Sequence, residues 1–279
     1  MAEATKHRVN VGQALRRRAF ISPALQATVE PAVGGRRLSY RELNARSNRV
    51  ANALIADGVK PGERVALLMM NGAEFIEAFF AVAKIGAVNV PLNWRLVADE
   101  LEFILKDAGA TVLVFDDSFA ALAAELQRRG SKTDLRVWVQ LGAAASPFAR
   151  SYEAWRDAAA DAEPEPAGFD DELVFIMYTS GTTGLPKGVM HSHATVLWII
   201  LTQSATVDLH GGDRFLLSLP MFHVGALAPA MSCIYNGAAL VILKSFEPRL
   251  SWQLIGSEGI TGTLMVPAML QAMLATHDA

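Results

Sequence analysis

Residues 173–188 read Leu-Val-Phe-Ile-Met-Tyr-Thr-Ser-Gly-Thr-Thr-Gly-Leu-Pro-Lys-Gly. The first five are apolar with no polar alternate, so they predict a strand covered on both faces, as strands of a parallel sheet are. At Tyr178 the chain changes character. The eleven residues from Tyr178 to Gly188 hold three glycines, four aliphatic hydroxyls and one lysine. Glycine lets a backbone approach a ligand closely. Successive N–H groups and hydroxyls can surround phosphate oxygens, and a lysine supplies a point charge. The same composition also suits a solvated turn between two elements.

Outward from this stretch, short β-rich runs alternate with helical patterns. Strands are expected over 64–69, 87–90, 111–115, 136–139, 215–219, 239–243 and 262–266. Helices are expected over 39–57, 75–85, 99–106, 118–129, 194–205 and 248–258, with a short one over 152–159. Ser39 and Glu42 fit a capping box, and Gly58 sits where a helix terminator belongs. Alternation of this kind predicts an α/β fold of layered, mostly parallel sheets flanked by helices. The Ala-, Ser- and Pro-rich run 143–168 predicts an exposed connection.

Residues 215–243 hold no Asp, Glu, Lys or Arg over 29 positions, long enough to span a bilayer. Ser218, Pro220, His223, Gly225, Asn236 and Gly237 break it into strand, helix about 224–235 and strand, so no transmembrane segment is expected. Lys and Arg number 25 and Asp and Glu 28, a balance that argues against a nucleic-acid binder. The single cysteine, Cys233, makes no internal disulfide and is expected to be a small buried hydrophobe. With no leader pattern at the start, a reducing, cytoplasmic setting is expected.

The glycine-rich loop is not a Walker A motif, because Pro186 stands where that pattern needs its second glycine. No G-x-G occurs among the 21 glycines, and no G-x-S-x-G surrounds Ser180. His191 and His193 form an H-x-H without a visible third ligand, so a loop-to-helix junction is expected rather than a metal site. Asp116-Asp117 and Asp170-Asp171 are expected to be solvated turns. Trp198, Ile199, Ile200 and Leu201 are expected to pack in the core.

Residues 178–189 resemble the phosphate-loop signature of the adenylate-forming, AMP-binding superfamily: acyl-CoA and aryl-CoA ligases, luciferases and peptide-synthetase adenylation domains. Leu38-Ser-Tyr-Arg-Glu-Leu43, Pro61-Gly-Glu-Arg-Val-Ala66, Gly86-Ala-Val-Asn-Val-Pro-Leu-Asn93 and Pro220-Met-Phe-His-Val-Gly-Ala-Leu227 resemble further segments in the same order. Phe222-His-Val224 with Asn93-Trp-Arg-Leu96 is most similar to fatty-acyl-CoA ligases. The resemblance runs from about residue 11 to about residue 274.

That resemblance implies ATP-dependent activation of a fatty acid to an acyl-adenylate, then transfer to coenzyme A. It implies that Thr179, Ser180, Gly181, Thr182, Thr183, Gly184 and Lys187 hold the β- and γ-phosphates and that Thr179 helps hold magnesium. Lys187 and His223 are the implied catalytic residues, His223 near the substrate carboxylate. An aromatic gate four residues past this histidine, found in some fatty-acyl ligases, is Leu227 in this chain. Y-G-x-T-E and T-G-D segments do not occur, so the chain resembles an incomplete N-terminal domain without its C-terminal domain. Residues about 60–195 would form a first sheet subdomain with the phosphate loop 178–188, and about 215–279 would begin a second. Small-molecule substrates, peripheral membrane contact and self-association are the implied partnerships. An aryl-CoA ligase, another adenylating enzyme, or a non-catalytic chain that binds polyphosphate or a partner remain as alternatives.

Overall fold

The computed structural model describes residues 8–31, 34–142, 144–179 and 184–277. In chain order come α1 (Gly12–Ile21), β1 (Gln26–Glu30), β2 (Arg36–Ser39), α2 (Tyr40–Ala56), β3 (Arg64–Leu68), α3 (Ala73–Lys84), β4 (Val88–Pro91), α4 (Ala98–Ala108) and β5 (Ala110–Asp116). Then follow α5 (Ala120–Arg128), β6 (Val137–Leu141), β7 (Arg150–Ser151), α6 (Tyr152–Asp157), β8 (Leu173–Thr179), β9 (Lys187–Ser192) and α7 (His193–Val207). The last are β10 (Arg214–Leu217), α8 (Val224–Asn236), β11 (Ala239–Ile242), α9 (Pro248–Ser257), β12 (Gly262–Thr263) and α10 (Pro267–His277).

Two sheets result. One has seven strands in the order β7-β6-β5-β3-β4-β8-β9, the other five in the order β12-β10-β11-β1-β2. All pairings are parallel except β8 with β9 and β1 with β2. In the larger sheet β4 lies on one side of β3 and β5 on the other. The chain therefore reverses its lateral direction at β3. In an open α/β sheet, the carboxyl end of such a strand is where a crevice forms.

Strand alternation sorts side chains into separate layers. Val65 and Leu67 of β3 and Val112 and Val114 of β5 face a core shared with α1, α2, α3 and α8, whereas Ala66, Leu68, Leu113 and Phe115 face α4 and α5. Ala27 and Leu240 of the smaller sheet enter the shared core, while Val29, Leu216 and Val241 pack with Leu254 of α9 on the opposite face. The layers are helices, seven-stranded sheet, helices, five-stranded sheet, helix.

The middle layer holds α3, all twelve of whose residues are buried. Three of them are charged, and an unpaired buried charge is costly. Each has a partner. Glu74 takes a bidentate pair of hydrogen bonds from Arg36, at 2.5 and 2.7 Å. Glu77 accepts from Arg46 and, at 3.1 Å, from the Tyr152 hydroxyl. Lys84 Nζ donates to Asn44, Asn48 and Glu163 at 2.6, 2.6 and 2.7 Å. Burial pulls the Lys84 ammonium down to about 8 even with the Glu163 carboxylate opposing it.

The expected helix after Ser39 starts as the capping box requires: Glu42 N–H donates to Ser39 Oγ, and Ser39 N–H donates to Glu42 Oε2. Gly58, at φ 77°, ends it, with Val59 N–H bonded to Leu54 O. The uncharged 215–243 stretch is β10, α8 and β11, and no helix among the described residues is long and apolar enough to cross a membrane. Cys233 is buried.

Four expectations change. Trp198 is 70 % exposed, because α7 buries His193, Val196 and Ile200 and Trp198 lies on the opposite face. Residues 187–192 form β9 rather than loop, since they pair antiparallel with β8. The strands expected over 215–219 and 262–266 end at Leu217 and Thr263. The chain from 8 to 39, for which only a helix entrance near Ser39 was expected, carries α1, β1 and β2.

The Lys84 cluster gives a stability test. Glu163→Ala strands a fully buried ammonium and should lower the unfolding free energy by roughly 3 kcal/mol. Lys84→Met combined with Glu163→Ala should recover most of that loss. Urea denaturation measures both; equal losses in the single and double variants would show that the pair is not the stabilising feature.

Candidate active site

The expected phosphate loop lies at the turn between β8 and β9. Ser180, Gly181, Thr182 and Thr183 lie outside the described residues. Their flanks are described. Thr179 and Lys187 stand directly opposite each other in the antiparallel register, and Tyr178 stands opposite Gly188. Both Thr179 and Lys187 are exposed. Among the described residues Lys187 makes no ion pair, which leaves its ammonium available. Gly184 has φ 109°, a conformation that L side chains rarely adopt. At Gly188 the requirement is space: a Cβ would come within 2.8 Å of Ile176 Cγ2 and 3.1 Å of the Tyr178 ring. Tyr178 is itself held by its hydroxyl, which donates to Asp107 Oδ2 at 2.6 Å. Burial, and then this carboxylate, push its pKa up.

His223 lies at the carboxyl edge of the smaller sheet, as the N-cap residue of α8. Its N–H donates to Pro220 O at 3.0 Å, and its own carbonyl accepts from Ala226 and Leu227 N–H. The imidazole is exposed and lies 4.4 Å from the Phe222 ring, centroid to centroid. Desolvation, and then the Arg95 charge, push its pKa below the ordinary histidine range. Trp94 meets Phe222 edge to face at 5.7 Å, and the Arg95 guanidinium lies 4.7 Å from the Trp94 ring. Leu227 is fully buried in the shared core, and the ring beside His223 is Phe222, which Trp94 contacts in turn.

These groups share one geometric property. Thr179 ends β8, residues 92–95 follow β4, and Asn71 follows β3, all at the carboxyl edge of the larger sheet. Residues 218–223 follow β10 and Leu243 follows β11, at the carboxyl edge of the smaller one. The edges touch through Trp94 and Phe222, and through Asn71, which bonds Leu219, Met221 and Leu243. A cavity of about 260 Å³ lies beside that contact, lined in part by Met70, Asn71, Asp116 and Lys244. The structure does not join Lys187 to His223 by a hydrogen bond or an ion pair.

The sequence named Thr179, Lys187 and His223 through motifs. It assigned no role to Asn71, Trp94, Arg95 or Asp107. Asn93-Trp-Arg-Leu96 was visible as a segment, but its contact with Phe222 spans more than a hundred residues. Asp116 is a correction: it is 6 % exposed, not a solvated turn residue. It accepts a hydrogen bond from Met70 N–H, and burial pushes its carboxyl up to about 6. Asp170 and Asp171 do lie in a turn with Asp171 exposed, as expected, and Asp170, at φ 56°, also accepts a hydrogen bond on Oδ1 from Val9 N–H at 2.9 Å. His191 sits on β9 and stacks on Phe175 at 4.4 Å. His193 is buried, and its Nδ1 accepts from Val11 N–H at 3.0 Å. Among the described residues no cluster of three or more His, Cys, Asp and Glu side chains is placed to hold a metal ion.

Residues 11–279 match the AMP-binding enzyme family, and the chain belongs to it. It is similar to the long-chain-fatty-acid–CoA ligase FadD13 of Mycobacterium tuberculosis, with 42% identity over 268 residues, covering 95% of this chain and 51% of that protein. It is also similar to a feruloyl-CoA synthase of an Amycolatopsis species, with 36% identity, covering 93% of this chain and 49% of that protein. Among solved structures, the inhibitor-bound N-terminal domain of FACL13 from Mycobacterium tuberculosis superposes with a TM-score of 0.88 at 39% identity, covering 95% of this chain and 65% of that one. The chain thus spans about half the length of the curated relatives it matches. Its layered, mostly parallel sheets match the N-terminal domains of acyl-CoA ligases.

Asp116 yields a pH prediction. Its pKa is raised from the ordinary 3.8 to about 6, so between those values the folded chain binds more protons at this site than the unfolded chain. Its contribution to stability is therefore greatest at low pH and falls as pH rises from about 4 to about 6. Asp116→Asn keeps an acceptor for Met70 N–H and should remove this decline. Urea midpoints of both proteins across that window measure it; parallel profiles would exclude Asp116 as the source.

Proposed function

We propose that this chain forms the phosphate-binding and acyl-facing part of an ATP-dependent acid–thiol ligase acting on fatty acids. A carboxylate oxygen attacks the α-phosphorus of ATP, and pyrophosphate leaves. The sulfur of coenzyme A then attacks the acyl carbon of the mixed anhydride, and AMP leaves with the bonding electrons. The observation that carries this reading is the junction of the two carboxyl edges, with an available lysine beside a glycine-rich turn on one edge and an exposed histidine on the other. The family and the fatty-acyl relatives support it. The division into a subdomain over about 60–195 and a second beginning near 215, with further chain completing the enzyme, belongs to the same reading. So does a cytoplasmic setting.

Charge develops on phosphoryl oxygens, so the protein's contribution is positioning and electrostatic stabilisation. Thr179, Ser180, Gly181, Thr182, Thr183 and Gly184 supply hydroxyls and backbone N–H groups to the β- and γ-phosphates. Lys187, across from Thr179, supplies the positive charge. The Thr179 hydroxyl is an exposed hard-oxygen donor at the strand end, which fits a magnesium ion that keeps phosphates and waters as most of its ligands. When bound, that ion neutralises phosphoryl charge. Burial and the Arg95 charge disfavour the charged form of His223, and its imidazole can donate a hydrogen bond to the acyl carboxylate.

A second reading takes an aromatic acid as substrate. The feruloyl-CoA synthase relative and the Trp94–Phe222 pair beside His223 favour it, because aromatic rings stack well on such a pair. ATP–pyrophosphate exchange over a panel of short to long fatty acids and aromatic acids separates the two. The assay uses this chain and the chain extended through whatever coding sequence follows it. Exchange is expected in the extended protein, with long fatty acids giving the largest rates. Lys187→Ala should lower it about tenfold to a hundredfold, the value of one charge-assisted hydrogen bond. No exchange with any acid would favour a non-catalytic role, and an unaffected Lys187 variant would remove that residue from the phosphates.

Met190, Trp198, Leu270 and Leu274 are exposed. This chain alone is therefore expected to self-associate. Sedimentation velocity at rising concentration reads this directly, and a monomer throughout would refute it.

A further inference from the structure

Asn71 is 8 % exposed and sits at the carboxyl end of β3, where the larger sheet reverses its lateral direction. Its amide reaches into the smaller sheet at the point where β10 and β11 separate. Those strands stay paired through Leu217 and Ile242, and Leu243 N–H still reaches Leu217 O at 3.0 Å. Beyond that, Asn71 replaces the ladder. Its Nδ2 donates to Leu219 O at 2.9 Å and to Leu243 O at 3.0 Å, and its Oδ1 accepts from Met221 N–H at 2.9 Å. A flipped amide would set an oxygen against two carbonyl oxygens, so only one orientation satisfies all three.

Asn71 is itself held on both sides. Met70 N–H donates to the Asp116 carboxylate, and Ala73 N–H donates to Glu30 Oε1 at 3.0 Å. All three Asn71 partners are backbone groups. The side chain therefore specifies the path of the chain from Leu219 to Met221 rather than its residue identities. That path continues into the Pro220–His223 turn, closed by His223 N–H on Pro220 O, and then into the first turn of α8.

We propose that Asn71 is a positioning residue: by clamping Leu219, Met221 and Leu243 it sets the Pro220–His223 turn, and so fixes where the His223 imidazole stands at the acyl side of the site. The catalytic consequence rests on the ligase reading above. The structural consequence does not.

Two measurements test it. The first is the His223 titration in this chain without substrate, read by NMR and assigned by the resonance that His223→Gln removes. Asn71→Ser is uncharged and too short to hold all three partners, so it should shift the His223 titration without adding a charge, while the other histidines keep theirs. Asn71→Leu serves if the serine variant does not fold. An unmoved His223 titration in a folded variant overturns the proposal, whatever the reaction proves to be. The second measurement is thioester formation from preformed acyl-adenylate, in the chain extended through its following coding sequence. A small displacement of a positioned group can cost up to about a hundredfold, so the Asn71 variant should lose ten- to a hundredfold in this step. ATP–pyrophosphate exchange should stay within about twofold, and a His223→Ala background should abolish most of the effect. Equal loss in both half-reactions, or an undiminished loss without His223, would mark Asn71 as merely structural. If the parent protein forms no thioester, the ligase reading fails and the titration alone decides on Asn71.

Discussion

The complete burial of α3 is the constraint on which the other elements depend. A helix with a sheet on each side has no solvent-facing stripe for charged residues, yet α3 carries Glu74, Glu77 and Lys84. Their partners must come from neighbouring elements: Arg36 from β2, Arg46, Asn44 and Asn48 from α2, Tyr152 and Arg156 from α6, and Glu163 from the connection after it. Breaking any of these pairs leaves a charge in an apolar layer, which costs more than making the pair gains. The network thus acts mainly as a specification of arrangement. It orients the β1–β2 hairpin, α2 and the 158–166 connection around one helix. The local electrostatics show the tension: burial raises the Glu77 pKa, whereas the Arg36 contacts hold Glu74 low despite its burial.

With the middle layer set, the carboxyl edges of both sheets come to one side of the molecule. Rigid strands then carry the Asn93–Arg95 segment, the Asn71 loop and the ends of β8 and β9 to the carboxyl edge of the larger sheet, and the Pro220–His223 turn to that of the smaller. This division of labour is consistent with the proposed phosphoryl chemistry, in which placement of charge matters more than covalent participation. The Tyr178–Asp107 bond and the crowded Gly188 fix the strand ends that flank residues 180–183. On the other edge the backbone clamp of Asn71 and the ring contact of Trp94 with Phe222 do the same for His223.

The charged network has a counterpart in what the chain leaves uncovered. Val189 and Met190 on β9, Trp198 and Leu201 on α7, and Leu264, Val266, Leu270 and Leu274 around β12 and α10 are all exposed. Scattered apolar residues on a surface are ordinary, but these fall on two pairs of successive elements, β9 with α7 and β12 with α10, at the outer strands of the two sheets.

Much of the fold was legible because its signals are local. The apolar run from Leu173, the Ser39–Glu42 box, Gly58 and the breaks within residues 215–243 each act through neighbours along the chain. The site was legible only where contiguous residues build it, at Thr179 to Lys187 and around His223. The rest depends on distant pairings. Gln26-Ala-Thr-Val-Glu30 looks like an undistinguished segment until β11 pairs with it and Arg36 neutralises Glu30. Trp198 looks like core until α7 turns its other face inward, and Asp116 looks like a surface turn until the Met70 loop folds over it. Asn71 carries no signal at all, because its three partners lie about 150 residues or more away. Residue order alone determined which segments become strands, helices and the glycine-rich turn, since those preferences belong to a few adjacent residues. Only the tertiary structure decided which charges are buried, which apolar faces stay open and which loops meet, because those outcomes depend on free energies of pairs that only packing brings together.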